Sequence, residues 1–256
     1  MAQITAVCMQ KGGVGKTTTV INVGAVLAKR GKKVLLVDLD PQGALTVALV
    51  GESNVNKLIQ EEHPTVYTVL RGQHKIEDAI VRSSNWSLVP ATIDLAAAEV
   101  TLLNELARER ILAEKLTPVA GSYDVVLLDC PPSLGLLTIN ALTAADNILI
   151  PVQTHYLAFI AVRLLLDTIE KVQQRSNPKI KVLGILPTFY NPRATHCREI
   201  FEELGAVYGE MVVKHAIRQR IAVADAAMAG TGVVDSDPNS DIAETYRQIV
   251  KELYDA

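Results

Sequence analysis

The sequence predicts an α/β fold with a doubly wound, mostly parallel sheet and helices on both of its faces. Short apolar segments rich in strand-forming residues alternate with stretches of helical periodicity along the 256 residues. Hydrophobic residues make up 49% of the chain and aromatic residues only 4%, which is typical of parallel sheets buried on both faces. Because no Pro-, Gly- or Ser-rich linker interrupts this alternation, we expect a single domain over residues 1–256.

The individual elements follow from local pattern. Parallel strands are predicted over residues 4–10, 33–38, 87–89, 123–129, 147–152 and 181–186. Helices are predicted over residues 16–30, 95–116, 136–145, 158–174, 198–204 and 240–254. Gly31 is expected to end the first helix, and residues 51–86 carry no readable pattern. Sheets of this kind bind ligands at the carboxyl ends of their strands.

Charge and cysteine content limit the classes of protein to which the chain can belong. The formal net charge is -3, so nucleic-acid binding would need a local basic patch rather than an overall positive field. Cys8, Cys130 and Cys197 have no paired spacing, which favours a reducing cytoplasm over a disulfide framework. The longest apolar stretch, residues 134–152, is interrupted by polar residues, so we expect a soluble protein without a membrane span.

The most specific motif is KGGVGKTT at residues 11–18, directly after a predicted strand and at the start of a predicted helix. Its glycines allow backbone N–H groups to surround phosphate oxygens, and the helix N-terminus adds partial positive charge. Lys16 is expected to reach the β and γ phosphates, the Thr17 hydroxyl to bind Mg²⁺, and Thr18 to support the α phosphate. The expected ATP-binding residues of this loop are Gly12, Gly13, Val14, Gly15, Lys16, Thr17 and Thr18.

The loop departs from the usual G-x-x-x-x-G-K-[ST] pattern, because Gln10 replaces the first glycine and a second lysine, Lys11, follows it. KGGVGKTT resembles the K-G-G-x-G-K-[ST]-T pattern of the ParA/MinD family of deviant Walker P-loop NTPases and matches it at every position. The resemblance implies an ATPase with slow turnover that dimerises around ATP. It also implies that Lys11 contacts the ATP of the partner subunit.

A second motif, VDLDPQG at residues 37–43, ends the second predicted strand. Alternation along the strand puts Asp38 and Asp40 on the same side, where one carboxylate can orient a water for attack and another can hold Mg²⁺ waters. The motif resembles the D-x-D-P-Q switch segment of the family. The resemblance makes Asp40 the residue that orients the water and Asp38 part of the metal shell.

A third motif, VVLLDCPPS at residues 125–133, resembles the Walker B segment D-x-P-P of the same family. The resemblance implies that Asp129 accepts hydrogen bonds from magnesium-bound water, and we assign no chemistry to Cys130. The expected catalytic residues are thus Lys11, Lys16 and Asp40, and the expected metal-binding residues are Thr17, Asp38 and Asp129.

Within the family, the chain is most similar to the ParA/Soj partition branch, on PTFYNPR at residues 187–193 and on residues 217–225. This similarity implies that Pro187, Asn191 and Arg218 lie near the adenine and the dimer face. It also implies a nucleoid-associated protein that binds DNA without sequence preference and is stimulated by a ParB-like adaptor. Candidate DNA phosphate contacts are Lys214, Arg218 and Arg220, with Arg193 and Arg198 as further candidates. Ordinary solvated charges are the alternative, because several glutamates share this region.

Other functions of the same family remain alternatives. A MinD-like membrane switch needs a basic amphipathic C-terminal helix, whereas this chain has Glu252 and Asp255 in its final turn. A relative of nitrogenase iron protein or of the scaffold ATPases needs thiolates that hold an iron–sulfur cluster, and the three cysteines form no evident ligand pair. A metabolic ligase with a P-loop is a further alternative, although Lys11 favours a dimeric switch.

Overall fold

A computed structural model describes residues 2–83 and 86–255. In these ranges one sheet has seven strands in the order β3-β4-β2-β5-β1-β6-β7. Neighbouring strands are parallel, except that β3 is antiparallel to β4 at one edge. The strands are β1 (Gln3–Val7), β2 (Val34–Asp38), β3 (Val81–Arg82), β4 (Ser87–Val89), β5 (Val125–Asp129), β6 (Asn147–Gln153) and β7 (Lys181–Thr188).

Helices connect the strands and cover the sheet. In chain order they are α1 (Lys16–Lys29), α2 (Ala44–Val50), α3 (Glu52–Gln60), α4 (Val66–Leu70), α5 (Ala98–Thr101), α6 (Ile111–Leu116), α7 (Leu136–Ala144), α8 (Ala158–Arg175), α9 (Thr195–Tyr208), α10 (Ile221–Met228), α11 (Val233–Ser236) and α12 (Asp241–Tyr254). Short 3-10 turns cover Ile76–Ala79, Ile93–Ala97, Arg108–Arg110 and Gly209–Met211.

Alternate residues of the central strands face two separate hydrophobic cores. Leu35 and Val37 of β2 pack into one core with residues of α4 to α9, whereas Val34 and Leu36 pack into the other with residues of α1, α10, α11 and α12. Burial on both faces explains why the strands are nearly continuous apolar runs. The predicted doubly wound, mostly parallel α/β fold is therefore confirmed.

The six predicted strands are present, although the first ends at Val7 rather than at residue 10. The helix predicted over residues 95–116 is wrong, because the chain forms short helical turns there and Ala107 adopts a left-handed conformation at φ 50°. Asn140 on α7 explains part of this break. Its side chain accepts from the Leu112 N–H and donates to the Arg108 carbonyl, so these backbone groups bond across to α7 instead of within one helix.

Residues 51–83 contain α3, α4 and β3, which the sequence pattern did not predict. α3 has no buried residue, yet its apolar residues Val55, Leu58 and Ile59 stand at helical spacing. A helical pattern was therefore present there and was not recognised. β3 is only two residues long and joins the sheet as an antiparallel edge. Among the described residues, no helix is both long enough and apolar enough to cross a membrane.

Candidate active site

The loop between β1 and α1 has the backbone of an anion cradle. Gly13 and Gly15 adopt left-handed conformations at φ 71° and 89°, which side chains with a Cβ rarely tolerate. α1 starts at Lys16 with no side-chain cap and no acidic residue in its first turn. The N–H groups of that turn therefore remain available to an anionic ligand. Lys16 itself is only 7% exposed, so its charge is held inside the cradle rather than in solvent.

Asp129 lies at the carboxyl end of β5, next to this cradle. Thr17 Oγ1 donates to Asp129 Oδ2 over 2.7 Å. Asp129 Oδ1 is buried and accepts no hydrogen bond within the described part of the chain. Burial, followed by repulsion from Asp38, raises the pKa of Asp129 well above its usual range. A buried carboxylate oxygen without a donor fits a site that receives a cation or its bound water.

Asp38 is the neighbour of Asp129 in the sheet, since the two residues are partners in the β2–β5 register. Asp38 Oδ2 accepts from the Thr46 N–H at 2.9 Å and from Thr46 Oγ1 at 2.7 Å, and its Oδ1 accepts from the Asp40 N–H. Burial raises the pKa of Asp38 to about 6, against the opposing effect of these hydrogen bonds. Thr46 sits on α2, and no sequence motif marked it.

Asp40 follows β2 in a tight turn. Its Oδ1 accepts from the Gln42 N–H at 3.0 Å, and its carbonyl accepts from the Gly43 N–H at 2.8 Å. Its negative charge contributes to the raised pKa of both Asp38 and Asp129. The structure therefore brings all three predicted carboxylates together at one edge of the sheet, where the P-loop also lies.

The Lys11 side chain is hydrogen-bonded within its own chain. Its Nζ donates to Oε1 of Gln153 at the end of β6, over 3.1 Å. Soon after Gln153 the chain exposes apolar side chains at the start of α8, including Tyr156, Leu157 and Ile160. Gln153 was not predicted, because a lone glutamine at a strand end carries no recognisable signal.

The predicted adenine region lies beyond β7. The Pro187 carbonyl accepts from the Ile217 N–H at 2.8 Å, and Tyr190 pairs with Arg218 in a short parallel bridge. The structure thus brings Pro187 and Arg218 into one strand-like pairing, and Asn191 follows Tyr190 at the surface. Thr188 Oγ1 donates to the carbonyl of Val14 at 2.9 Å, which attaches this region to the P-loop.

Phe189 is a further residue of this region that sequence reasoning missed. It has a left-handed backbone at φ 53°, which is uncommon for a bulky side chain. Its Cε2 atom lies 3.8 Å from the position that a Cβ on Gly15 would occupy. Backbone strain of this kind is often found at functional sites, and here it sets a ring against the P-loop.

The candidate DNA contacts are exposed but partly neutralised. Arg220 lies 2.6 Å and Arg218 3.7 Å from the same carboxylate oxygen of Asp241, and the hydrogen bond from Arg220 lowers the pKa of Asp241. Lys214 is exposed, and its backbone N–H donates to Glu252. Two of the three predicted cations therefore share one counter-charge. The other two candidates, Arg193 and Arg198, are also exposed.

Cys8, Cys130 and Cys197 are buried and not in disulfides. Contact with the Cys8 side chain and burial raise the pKa of the Cys130 thiol well above its usual range, which favours the neutral thiol. Among residues 2–83 and 86–255, no group of three or more His, Cys, Asp or Glu side chains is arranged to hold a metal ion. Mg²⁺ needs no such cage, because it usually keeps several waters and takes one or two protein ligands beside substrate phosphates.

The family model described as an AAA domain matches residues 2–182. The Bacillus subtilis sporulation initiation inhibitor protein Soj is 40% identical over 255 residues, covering 99% of this chain and 98% of that protein. The Thermus thermophilus chromosome-partitioning ATPase Soj is also 40% identical, over 97% and 94% of the two chains. The chain belongs to the ParA/Soj-type family of partition ATPases.

A solved structure that is similar to this chain contains a bound nucleotide. Cobyrinic acid a,c-diamide synthase from Mycobacterium smegmatis, with bound ADP and magnesium, is 40% identical to this ParA/Soj-type chain. It superposes with a TM-score of 0.83, over 98% of this chain and 93% of that one. The activity of the ParA/Soj-type site described here is ATP hydrolysis.

Proposed function

We propose that this ATPase binds Mg-ATP in the P-loop, dimerises around it and then binds DNA without sequence preference. In this state it positions or segregates a plasmid, a chromosome or a protein assembly in the cytoplasm, on the nucleoid. A ParB-like adaptor stimulates hydrolysis and releases the dimer. The observation that carries the proposal is the joint placement of Lys16, the Thr17–Asp129 pair and Asp38 at one edge of the sheet.

Each residue has a separate role in this proposal. Lys16 and the amides of residues 12–18 neutralise the phosphates, while Thr17, Asp38 and Asp129 hold Mg²⁺ and its waters. The unpaired Oδ1 of Asp129 and the raised pKa of both buried carboxylates support a cation between them and the phosphates. Bound Mg²⁺ neutralises phosphate charge.

Asp40 orients the attacking water in this proposal, and Pro187, Asn191 and Arg218 lie against the adenine.

The dimer is supported by the surface around Lys11. Gln153 holds Lys11, and the apolar residues Tyr156, Leu157 and Ile160, which follow Gln153 within a few residues of the chain, are exposed. Exposed apolar side chains are common at interaction surfaces. In the dimer, Lys11 leaves Gln153 and contacts the partner's ATP. A two-fold dimer also doubles the weak basic surface of Lys214, Arg218 and Arg220, which helps an acidic chain to bind DNA.

The test is binding of the Asp40→Ala protein to random-sequence DNA, with ATP and with ADP, over a series of salt concentrations. This variant should bind ATP and dimerise without releasing phosphate. We expect DNA binding only with ATP, with an affinity that falls linearly with salt on logarithmic axes. Absence of DNA binding from an intact ATP dimer would remove DNA from the proposal.

Asp241→Asn sharpens this test. It removes the carboxylate that pairs with Arg218 and Arg220, so we expect it to tighten DNA binding. Lys214→Gln should weaken binding, while Lys171→Gln, at an exposed position on α8, is the matched control. If Asp241→Asn leaves DNA affinity unchanged, these arginines do not contact DNA.

Amide synthesis is the second candidate function, because the Mycobacterium smegmatis protein bears the name of a diamide synthase. Such an enzyme uses ATP to activate a carboxylic acid, and the nitrogen of ammonia or glutamine then displaces the phosphate to form the amide, so ADP forms only when the acid is present. ADP formation from Mg-ATP alone, stimulated by DNA, would favour the partition function. ADP formation that depends on an added acid and a nitrogen donor would favour the synthase.

A further inference from the structure

A cavity of about 710 Å³ lies at the end of the sheet where the central strands begin, opposite the end that carries the P-loop. It opens between the second half of α1, the first residues of β2, β4 and β5, and the turn between α10 and α11. Those strands run from the cavity toward Asp38 and Asp129, and five residues of strand span roughly 13 Å. The cavity is therefore distinct from the site of ATP hydrolysis. Its volume falls within the range of about 300–1,000 Å³ that small-molecule sites occupy.

Charge in the cavity is mostly positive. Lys29, Lys32, Lys33 and Arg82 line it, against the single carboxylate of Asp235. Asp235 is already paired with Lys29, at 2.9 Å. Within the described ranges, the side-chain nitrogens of Lys32, Lys33 and Arg82 have no carboxylate oxygen within 4.0 Å. The Asp124 carboxylate is nearby, but it accepts from the backbone N–H of Lys33 at 2.7 Å. Three cations around one concave surface, in a chain of net charge -3, favour an anionic ligand.

Two aromatic rings share the same cavity. Trp86 precedes β4 and Tyr123 precedes β5, and both are half-buried while still lining the cavity. Trp86 packs against the core that contains α1, and Tyr123 packs against the core on the other face of the sheet. Partly buried aromatic rings in a cavity that also has lysine and arginine are suited to a planar ring that carries an anionic group.

Hydroxyl groups complete the lining. Ser87, Ser122 and Thr231 are distributed around the cavity and offer hydrogen bonds to sugar or phosphate oxygens. The floor is made of small residues of α1, Gly24, Ala25 and Ala28, which leave depth for a ring. A duplex would meet the exposed lysines but could not enter a recess of this size.

We propose that this cavity is a second nucleotide site, which binds a nucleoside monophosphate with its base against Trp86 and Tyr123 and its phosphate among Lys32, Lys33 and Arg82. Its ligand is chemically related to the substrate of the P-loop but occupies the other edge of the sheet. Binding there does not involve Lys16, Asp38 or Asp129.

The chain carries its own probe, because Trp86 is its only tryptophan. The experiment titrates the Lys16→Ala protein, whose P-loop is disabled, with AMP, GMP and ribose 5-phosphate, and follows indole fluorescence and calorimetric heat. We expect one saturable site for AMP or GMP, with a change in Trp86 fluorescence. Ribose 5-phosphate, which lacks the base, should bind at least tenfold more weakly.

Substitutions then assign the site. Lys33→Gln combined with Arg82→Gln should weaken binding at least tenfold, whereas Lys171→Gln, which removes one charge from exposed α8, should leave it unchanged. Thermal melts of each variant establish that it is folded. Four results overturn the proposal. Three are no saturable binding, equal affinity for ribose 5-phosphate, and no effect of the double substitution in folded protein. The fourth is binding in the native chain that disappears in Lys16→Ala, since the P-loop would then be the site observed. The proposed partition function is tested separately, by the ATP-dependent binding of DNA.

Discussion

Thr46 does two things at the buried end of β2. Its hydroxyl donates to Asp38 Oδ2 at 2.7 Å and accepts from the Ala91 N–H at 2.9 Å. Because Asp38 is fully buried, the hydrogen bonds from the Thr46 hydroxyl, the Thr46 N–H and the Asp40 N–H keep its carboxylate oriented and prevent a larger rise of its pKa. Thr46 thus acts as a positioning residue, through Asp38.

We expect Thr46→Val to lower the ATPase rate about tenfold and to raise the Mg²⁺ concentration needed for half-maximal rate. It leaves Asp38 short of a donor and the Ala91 N–H without an acceptor, so the free energy of unfolding should fall by about 1–3 kcal/mol. Phosphate release over a magnesium series and urea denaturation measure the two effects. Thr46→Ser keeps the hydroxyl and should restore both, and a wild-type magnesium response in Thr46→Val would contradict the role.

At the level of single residues, the sequence predicts those functional residues that belong to motifs of fixed spacing. Lys16, Thr17 and Asp129 were placed by short motifs, and the structure brings them together. Thr46 and Gln153 were not predicted, because they are common residue types whose partners, Asp38 and Lys11, are defined only in the folded chain. Arg218 and Arg220 were singled out as candidate DNA contacts, and their shared pairing with Asp241 could not be seen from spacing.

Among the elements, α12 is packed against the protein through its apolar face and is hydrogen-bonded to β1. Its buried residues include Tyr246, Ile249 and Val250, and Tyr254 near its end donates to Thr5 Oγ1 on β1 at 3.2 Å. The apolar face of α12 is therefore already packed against the protein. This arrangement argues against a MinD-like membrane anchor, which would need that face free.

Alkaline pH should destabilise this element. Burial raises the pKa of Tyr254 from 10.0 to about 12, so the stabilisation is fully present below pH 10 and is lost as pH rises to about 12. A shift of two pKa units corresponds to about 3 kcal/mol. Tyr254→Phe should flatten the fall in unfolding free energy over this range, at a cost near neutral pH of about 1 kcal/mol for the lost hydrogen bond.

Urea denaturation at a series of alkaline pH values measures this effect. Tyr156→Phe, at an exposed ring, is the matched control for loss of a phenol. If Tyr254→Phe follows the same pH dependence as the unsubstituted chain, the buried phenol contributes nothing to alkaline unfolding.

The accuracy of prediction differed between element types. Central strands were predicted because burial on both faces makes them unbroken apolar runs, as in β5. The long helix over residues 95–116 was wrong, because Leu106 is 95% exposed and the backbone beside it bonds to Asn140 on α7. α3 was missed although its apolar residues stand at helical spacing. α4 was missed because five residues are too few for buried Val66, Val69 and Leu70 to show a period.

For the molecule as a whole, the order of the strands assembles the site. β1, β2 and β5 are adjacent in the middle of the sheet, so the P-loop, Asp38 and Asp129 meet although they are far apart in sequence. Lys11 is held by Gln153 at the end of β6, and exposed apolar residues follow Gln153 in the chain. The proposed dimer would bury both.

Lys11→Ala should bind ATP but fail to form the ATP-dependent dimer. Loss of a charge-assisted hydrogen bond to the partner's nucleotide corresponds to about 1.5–3 kcal/mol, or a dimer dissociation constant about 10- to 100-fold weaker. Light scattering of the chain with ATP, with Lys179→Ala as an exposed control, measures it. An undiminished dimer would show that Lys11 serves only its contact with Gln153.

The packing of α12 has a consequence for the order in which the protein is made. The residues of α1 behind the P-loop, among them Val20 and Val23, share their core with Tyr246 and Ile249 of α12. During synthesis, α1 leaves the ribosome well before α12, so the helix that presents Lys16 lacks its final packing until α12 has been made. A nascent or truncated chain without α12 would therefore not offer a finished phosphate cradle, and unfinished copies would be kept out of ATP-bound dimers.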